Sequence, residues 1–169
     1  QLCETLNLLA GQSVLDVAAG NGNVTLAAAR RGGDVTSTDY VPALLEGGRA
    51  RAAAEGLSIT MQEADAEALP FADGSFDVVV STFGVMFAIN QAAAANELAR
   101  VCRSGGRLTL ATWAPDGAVA EFFRVIAQHS NAPPAPSSPL AWGDPAHVET
   151  LLGGAFELNF ERGISNAYH

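Results

Sequence analysis

Basic residues are scarce in this chain of 169 residues: nine arginines and no lysine stand against eighteen aspartates and glutamates, for a formal net charge of −9 at pH 7. Phosphate contacts need clustered cationic side chains, so no nucleic-acid partner is expected. Cysteine is almost missing as well. Cys3 and Cys102 lie far apart without metal-ligand spacing, which points to a reducing compartment. No apolar run is long enough for a bilayer span and no signal-peptide pattern opens the chain, so a cytoplasmic location is expected. The three histidines, His129, His147 and His169, fall outside HExxH or any other metal pattern, and no metal is expected.

What is present suits one folded domain spanning residues 1–169. The composition is 49% hydrophobic and 16% charged, which describes a globular chain long enough for one substantial core. No internal repeat is found. The chain is organised around VLDVAAGNGNVTLAAA, residues 14–29, which passes from an apolar strand through a small-residue turn into a helix. Val14, Leu15 and Val17 read as a short buried strand. In Ala18-Ala19-Gly20-Asn21-Gly22-Asn23 few side chains project far, so backbone can approach a ligand closely, and the following helix offers unpaired N–H groups. Asp16 narrows the choice of ligand. A carboxylate at the end of the first strand opposes a pyrophosphate but welcomes a group carrying an amine and a sulfonium.

Asp16, Gly20 and Gly22 make the stretch similar to the first motif of class I S-adenosylmethionine (SAM)-dependent methyltransferases. It looks closest to the branch that includes the ubiquinone/menaquinone C-methyltransferases. The likeness extends over about residues 10–115 and includes the run LARVCRSGGRLTLATW. It implies SAM as cofactor and transfer of its methyl group to a small-molecule acceptor by in-line displacement. One position departs from the family: Ala18 stands where glycine is usual. The turn there must use a conformation open to alanine, such as a negative φ, or the cofactor must sit slightly further away. Two other readings of the same pattern are a nicotinamide-dependent oxidoreductase and a non-catalytic SAM-binding protein. Asp16 and the want of a third glycine at residue 25 weigh against the first.

Along the rest of the chain, strands and helices alternate, which predicts a Rossmann-like, doubly wound α/β fold with a mostly parallel sheet and helices on both faces. Helices are expected over residues 24–31, 43–55 and 91–102, the last stopped by Gly105-Gly106. Strands are expected over 35–38, 57–61, 76–81 and 107–113. Asp39, nineteen positions after Gly20, matches the spacing of a ribose-binding acid, with Tyr40 and Val41 placed beside the adenine. The resemblance puts the family's Asp-Ala pair on Asp65-Ala66. Ser81 and Thr82 lie at the carboxyl end of the fourth strand, where such sheets bind ligands. Asn23, in the glycine turn, completes the expected cofactor set with Asp16, Ala18, Gly20, Gly22, Asp39, Tyr40, Asp65, Ala66, Ser81 and Thr82. The Asn/Asp-Pro-Pro-aromatic signature of amide and base N-methylation does not follow the fourth strand.

Residues 1–113 thus read as the cofactor-binding core and 114–169 as a substrate-side tail. Leu2, Leu6 and Leu9 suggest the end of a helix, and the chain opens on Gln1, so N-terminal and C-terminal segments of the domain are expected to be missing. The tail predicts helices over 118–129 and after Asp144-Pro145, a Pro/Ser-rich connector over 131–140, and a sixth strand over 156–160. Phe83, Met86, Phe122 and Trp142 are expected to border an apolar acceptor pocket. The reaction needs donor and acceptor aligned with water excluded, and no catalytic side chain is assigned.

Overall fold

In the computed structural model, which describes residues 7–130 and 136–163, five parallel strands form one sheet in the order β3-β2-β1-β4-β5. They are β1 (Ser13–Val17), β2 (Asp34–Asp39), β3 (Thr60–Glu63), β4 (Phe76–Thr82) and β5 (Cys102–Ala111). Between them run α1 (Asn23–Ala29), α2 (Pro42–Ala54) and α3 (Gln91–Val101); after β5 come α4 (Ala118–His129) and α5 (Pro145–Leu152). This is the doubly wound α/β architecture the alternation predicts.

The central strands owe their place to burial on both faces. Val14, Leu15, Val17, Val78, Val79 and Val80 are inaccessible to solvent, the continuous apolar run that a parallel sheet requires. Alternation along each strand divides them between two cores. Leu15, Val17 and Val79 pack with Ala94, Ala95 and Leu98 of α3, with Val148 and Leu152 of α5, and with Trp142. Val14, Val78, Val80 and Val35 pack with Ala28 of α1 on the other face. Each fully buried side chain of this size stabilises the fold by about 1.5–3 kcal/mol, so the strand register is strongly specified.

Helix ends follow local chemistry. Asn90 caps α3 by accepting from the Ala93 N–H at 3.0 Å, and Asp144 caps α5 by accepting from the Ala146 N–H at 3.0 Å, with Pro145 opening the helix. The loop from β3 to β4 is held by Arg100, which donates to the Phe71 and Leu69 carbonyls at 2.6 and 2.9 Å and pairs with Glu97 and Asp73.

Three expectations are corrected. Gly105-Gly106 does not end α3; α3 gives way directly to β5 at Cys102, and the glycines lie within the strand. There β4 advances from Phe76 to Val78 while β5 advances from Cys102 to Arg107, a bulge whose turn places Gly105 at φ 69°. The alternating residues 156–160 form no strand, because an apolar/polar pattern needs a hydrogen-bonded neighbour and β5 pairs only with β4 among the described residues. Third, Ala18 has φ 53°, so the turn does not use a negative φ. The expected N-terminal helix falls largely on residues outside those described, as do residues 131–135 of the connector and His169.

Candidate functional site

At the carboxyl ends of the strands lies a cleft of about 340 Å³, within the size range of small-ligand sites. Three segments line it: Ala18, Ala19, Gly20, Asn21 and Asn23 after β1; Asp39, Tyr40, Val41 and Leu44 at the end of β2 and the start of α2; and Thr82, Phe83, Gly84 and Phe87 after β4. In a parallel sheet the chain leaves β1 and β4 at this end toward different helices, and the splayed connections open the crevice.

The loop after β1 is built to be close to a ligand. Gly20 has φ 58° and nothing within 4 Å of where a Cβ would sit, so that space belongs to the cleft. Gly22, at φ 81°, stands against Met61 Cε and opens α1. Asp39 fixes the loop to β2, its Oδ2 accepting from the Gly20 N–H at 2.8 Å while Oδ1 accepts from the Val41 N–H at 2.9 Å. Arg51, from α2, donates to the Asn21 carbonyl and to Asn23 Oδ1, both at 2.9 Å.

Of the residues expected from sequence to hold a cofactor, the fold brings Ala18, Gly20, Asn23, Asp39, Tyr40 and Thr82 to the cleft. Asp16 and Ser81 lie behind its lining. Asp16 is buried and accepts from Thr25 Oγ1 at 2.7 Å, and Thr25 Oγ1 lies 2.6 Å from Ser37 Oγ. Burial pushes the Asp16 carboxyl up to about 7; hydrogen bonds from the Thr25 side chain and backbone oppose the rise, and the neighbouring Asp39 charge adds to it. Ser81 donates to the Val17 carbonyl at 2.7 Å and accepts from the Val85 N–H at 3.0 Å, tying the loops after β1 and β4 together. Asp65 is exposed after β3 and accepts from the Glu67 N–H at 2.9 Å; neither it nor Ala66 nor Gly22 lines the cleft.

Among the four expected acceptor residues, only Phe83 lines the cleft. Met86 and Trp142 are core residues, exposed by 1% and 2%, because the turn at Val85–Phe87 and the turn at Pro139–Gly143 face inward onto α3 and α5. Phe122 lies on α4 and is largely exposed. The lining also takes in Ala19 and Asn21 of the turn that the sequence marks for close approach, and Gly84 just beyond the carboxyl end of β4; sequence reasoning missed Leu44. Leu44 carried a signal, since it follows Val41 by three positions at the start of a helix and so shares its face. Gly84 is signalled by its place after β4, but the need for glycine there is not, because that constraint comes from Ala18 across the crevice.

These groups fit a SAM-sized ligand. Thr82 Oγ1 is buried at the cleft wall without a hydrogen-bond partner, and such atoms are rare unless a ligand or water meets them. Asp39 can accept from hydroxyls, and Tyr40, Val41 and Leu44 give apolar surface beside it. No lysine or arginine lines the cleft, which suits a ligand without pyrophosphate. His129 ends α4 and His147 lies 2.7 Å from Gln91 Oε1, far along the chain from these loops, and the described residues hold no His/Cys/Asp/Glu cluster able to bind a metal.

Comparison with known proteins agrees with this geometry. A family model described as "Methyltransferase domain" matches residues 15–110, from β1 to the end of β5. An uncharacterised protein of Mycobacterium tuberculosis is 47% identical over 156 residues, covering 91% of this chain and 57% of that protein. A demethylmenaquinone methyltransferase of Thermus thermophilus is 39% identical over 123 residues, 70% of this chain and 56% of that enzyme. The chain therefore spans a little over half the length of these relatives. The fold also matches a SAM-dependent methyltransferase of Aquifex aeolicus with a TM-score of 0.67 at 19% identity, over 90% of this chain and 76% of that one. With its glycine loop, acid at β2 and matching sheet, the chain belongs to the class I SAM-dependent methyltransferase family.

Proposed function

We propose that this chain is the donor-binding core of an enzyme that methylates a small, largely apolar molecule. The observation that carries the reading is the cleft joining the glycine loop, Asp39 and the unpartnered Thr82 hydroxyl at the carboxyl ends of β1, β2 and β4. Bound SAM supplies an activated methyl group on a sulfonium. The protein's part is to hold, orient and exclude water. Asp39 would accept from ribose hydroxyls with the lone pairs left free by Gly20 and Val41, Tyr40 and Leu44 would offer apolar surface to the adenine, and the unpartnered Thr82 hydroxyl would donate to a polar group of the ligand. Asp16, buried behind the loop, would act on the donor's ammonium through its field where it is ionised, above about pH 7; Gly22, Ser81, Asp65 and Ala66 shape the surrounding turns.

The acceptor side is formed by Phe83 and Phe87, with the tail from residue 114 beyond them. The exposed aromatic Phe87 and the acidic net charge favour a neutral apolar acceptor over nucleic acid. The relative from Thermus thermophilus, named for demethylmenaquinone, supports the same class. The scarcity of cysteine supports a reducing, cytoplasmic compartment; among the described residues no helix is long and apolar enough to cross a membrane.

Calorimetric titration with SAM and, separately, with NAD tests the donor assignment, and methyl transfer from labelled SAM across a panel of apolar acceptors tests the activity. Saturable SAM binding and labelled product are expected. Binding of NAD in place of SAM would favour the oxidoreductase, and SAM binding without turnover on any acceptor would favour a non-catalytic role. In Asp39→Ala the SAM affinity should fall by roughly 1.5–3 kcal/mol, the worth of hydrogen bonds to a charged group; unchanged affinity removes Asp39 from the site.

A further inference from the structure

The cleft wall across from the glycine loop has a costly backbone. Phe83 has φ 57°, in the left-handed region that a residue with a Cβ rarely adopts. Such conformations persist only where the surroundings hold them, and they gather at functional sites. Three contacts hold this one. The Phe83 N–H donates to the Ala111 carbonyl at 2.8 Å. Its ring is stacked on Trp113 with centroids 4.1 Å apart and planes 19° from parallel. The next residue, Gly84, is pressed against Ala18, so that a Cβ there would lie 2.2 Å from the Ala18 carbonyl oxygen. Phe83 is thereby fixed from β5 on one side and from the donor loop on the other, while Trp113 itself does not line the cleft.

Charge gives this wall a purpose. Asp39 is the one carboxylate in the lining and it lies at the end of β2; β1 separates β2 from β4. A ligand anchored by its ribose at Asp39 and crossing the glycine loop would reach β4, where the lining offers hydroxyl, backbone and aromatic groups but no carboxylate. A cation there is attracted by the face of an aromatic ring, and a neutral thioether is not. We propose that Phe83, held by Trp113 as its positioning residue, is the group by which the cleft distinguishes the positively charged sulfonium donor from the neutral demethylated product. This rests on the methyl-donor reading above. It also gives the cleft a means of releasing product, since transfer of the methyl group removes the charge that Phe83 binds.

The test is calorimetric titration with SAM and with S-adenosylhomocysteine of the wild-type chain, Phe83→Leu, Trp113→Leu and Trp113→Phe. Phe83→Leu should lose roughly two- to thirty-fold in SAM affinity, the span of cation–π energies from exposed to desolvated sites, with little change for S-adenosylhomocysteine. Trp113→Leu should shift the SAM/S-adenosylhomocysteine ratio the same way, and Trp113→Phe should restore it. Should the leucine variants not fold, phenylalanines of increasing ring fluorination placed at position 83 keep the shape and weaken the ring's field, and SAM affinity alone should fall with each fluorine. Equal losses for both ligands, or an unchanged ratio throughout the fluorinated series, would overturn the inference while leaving the donor reading intact. A wild-type chain that binds neither ligand would overturn both.

Discussion

Replacing Asp16 with asparagine should make the free protein more stable, and increasingly so as pH rises. Asp16 is 1% exposed, and its carboxyl is pushed up to about 7 chiefly by burial. The unfolded chain gives up this proton near the ordinary value of 3.8, whereas the folded chain keeps it until about pH 7. Between those values the folded state binds more protons than the unfolded one, so stability falls as pH rises through the window and stays low above it. Each unit is worth about 1.4 kcal/mol, and the whole window is of order 4 kcal/mol. Asparagine remains neutral and still accepts from Thr25 Oγ1. The carboxyls of Asp77 and Glu97, held low mainly by the Ser13 N–H and by Arg100 respectively, act in the opposite sense, losing stability as pH falls below the ordinary carboxylate range. They are common to both proteins and cancel in the difference. Urea unfolding at pH 5, 6.5 and 8 should therefore show a gap between Asp16→Asn and wild type that widens with pH by roughly 2–4 kcal/mol. At pH 8, where the Asp16 carboxyl is ionised, the same variant should bind SAM more weakly, because the donor's ammonium loses a carboxylate. A gap that does not change with pH would refute the argument, since it would mean that Asp16 is ionised in the folded protein throughout.

Ala18→Gly should raise stability by about 0.5–1.5 kcal/mol, because it removes a Cβ from a residue at φ 53°; a lower melting temperature would contradict that conformation. Gly84→Ala should cost at least about 2 kcal/mol, and Ala18→Gly should not rescue it, because the nearest atom is the Ala18 backbone oxygen; thermal denaturation of single and double variants decides. Gly20→Val should fold, with strain at φ 58°, yet lose SAM binding, because the added atoms enter the open space of the cleft; a folded variant that titrates normally would make the loop merely structural. Arg100→Ala should leave donor affinity unchanged but open the β3–β4 loop to proteolysis, since four groups on that loop and α3 lose their partner; unaltered cleavage would show the loop is held by other contacts.

Much of this could be read from the sequence because the signals were local. The strand Val14–Val17 with its buried Val14, Leu15 and Val17, the valine run Val78–Val80, the glycine turn and Asp39 at its spacing all act through neighbours in the chain, and the sheet followed from them. Signals that act across the fold were not legible. Gly84 is required by Ala18, which is 66 positions away, and Asp16 and Ser81 lie buried behind the cleft lining, where Thr25, Val17 and Val85 engage their oxygens. Met86 and Trp142 have the apolar character of a pocket wall and equally of a core, and only the packing of the two short turns separates those uses. Residues 156–160 alternate as a strand would, but a strand is a property of a pair, and pattern alone does not supply the partner.

The central claim is that this cleft holds the methyl donor with its ribose at β2 and its sulfur at β4. A crystal structure of the chain with S-adenosylhomocysteine bound tests it most directly. The account predicts ribose hydroxyls within hydrogen-bond distance of Asp39, a polar group of the ligand on Thr82 Oγ1, and the sulfur beside Phe83. A ligand found at the amino ends of the strands, or lying in the cleft with its sulfur at Asp39, would contradict it.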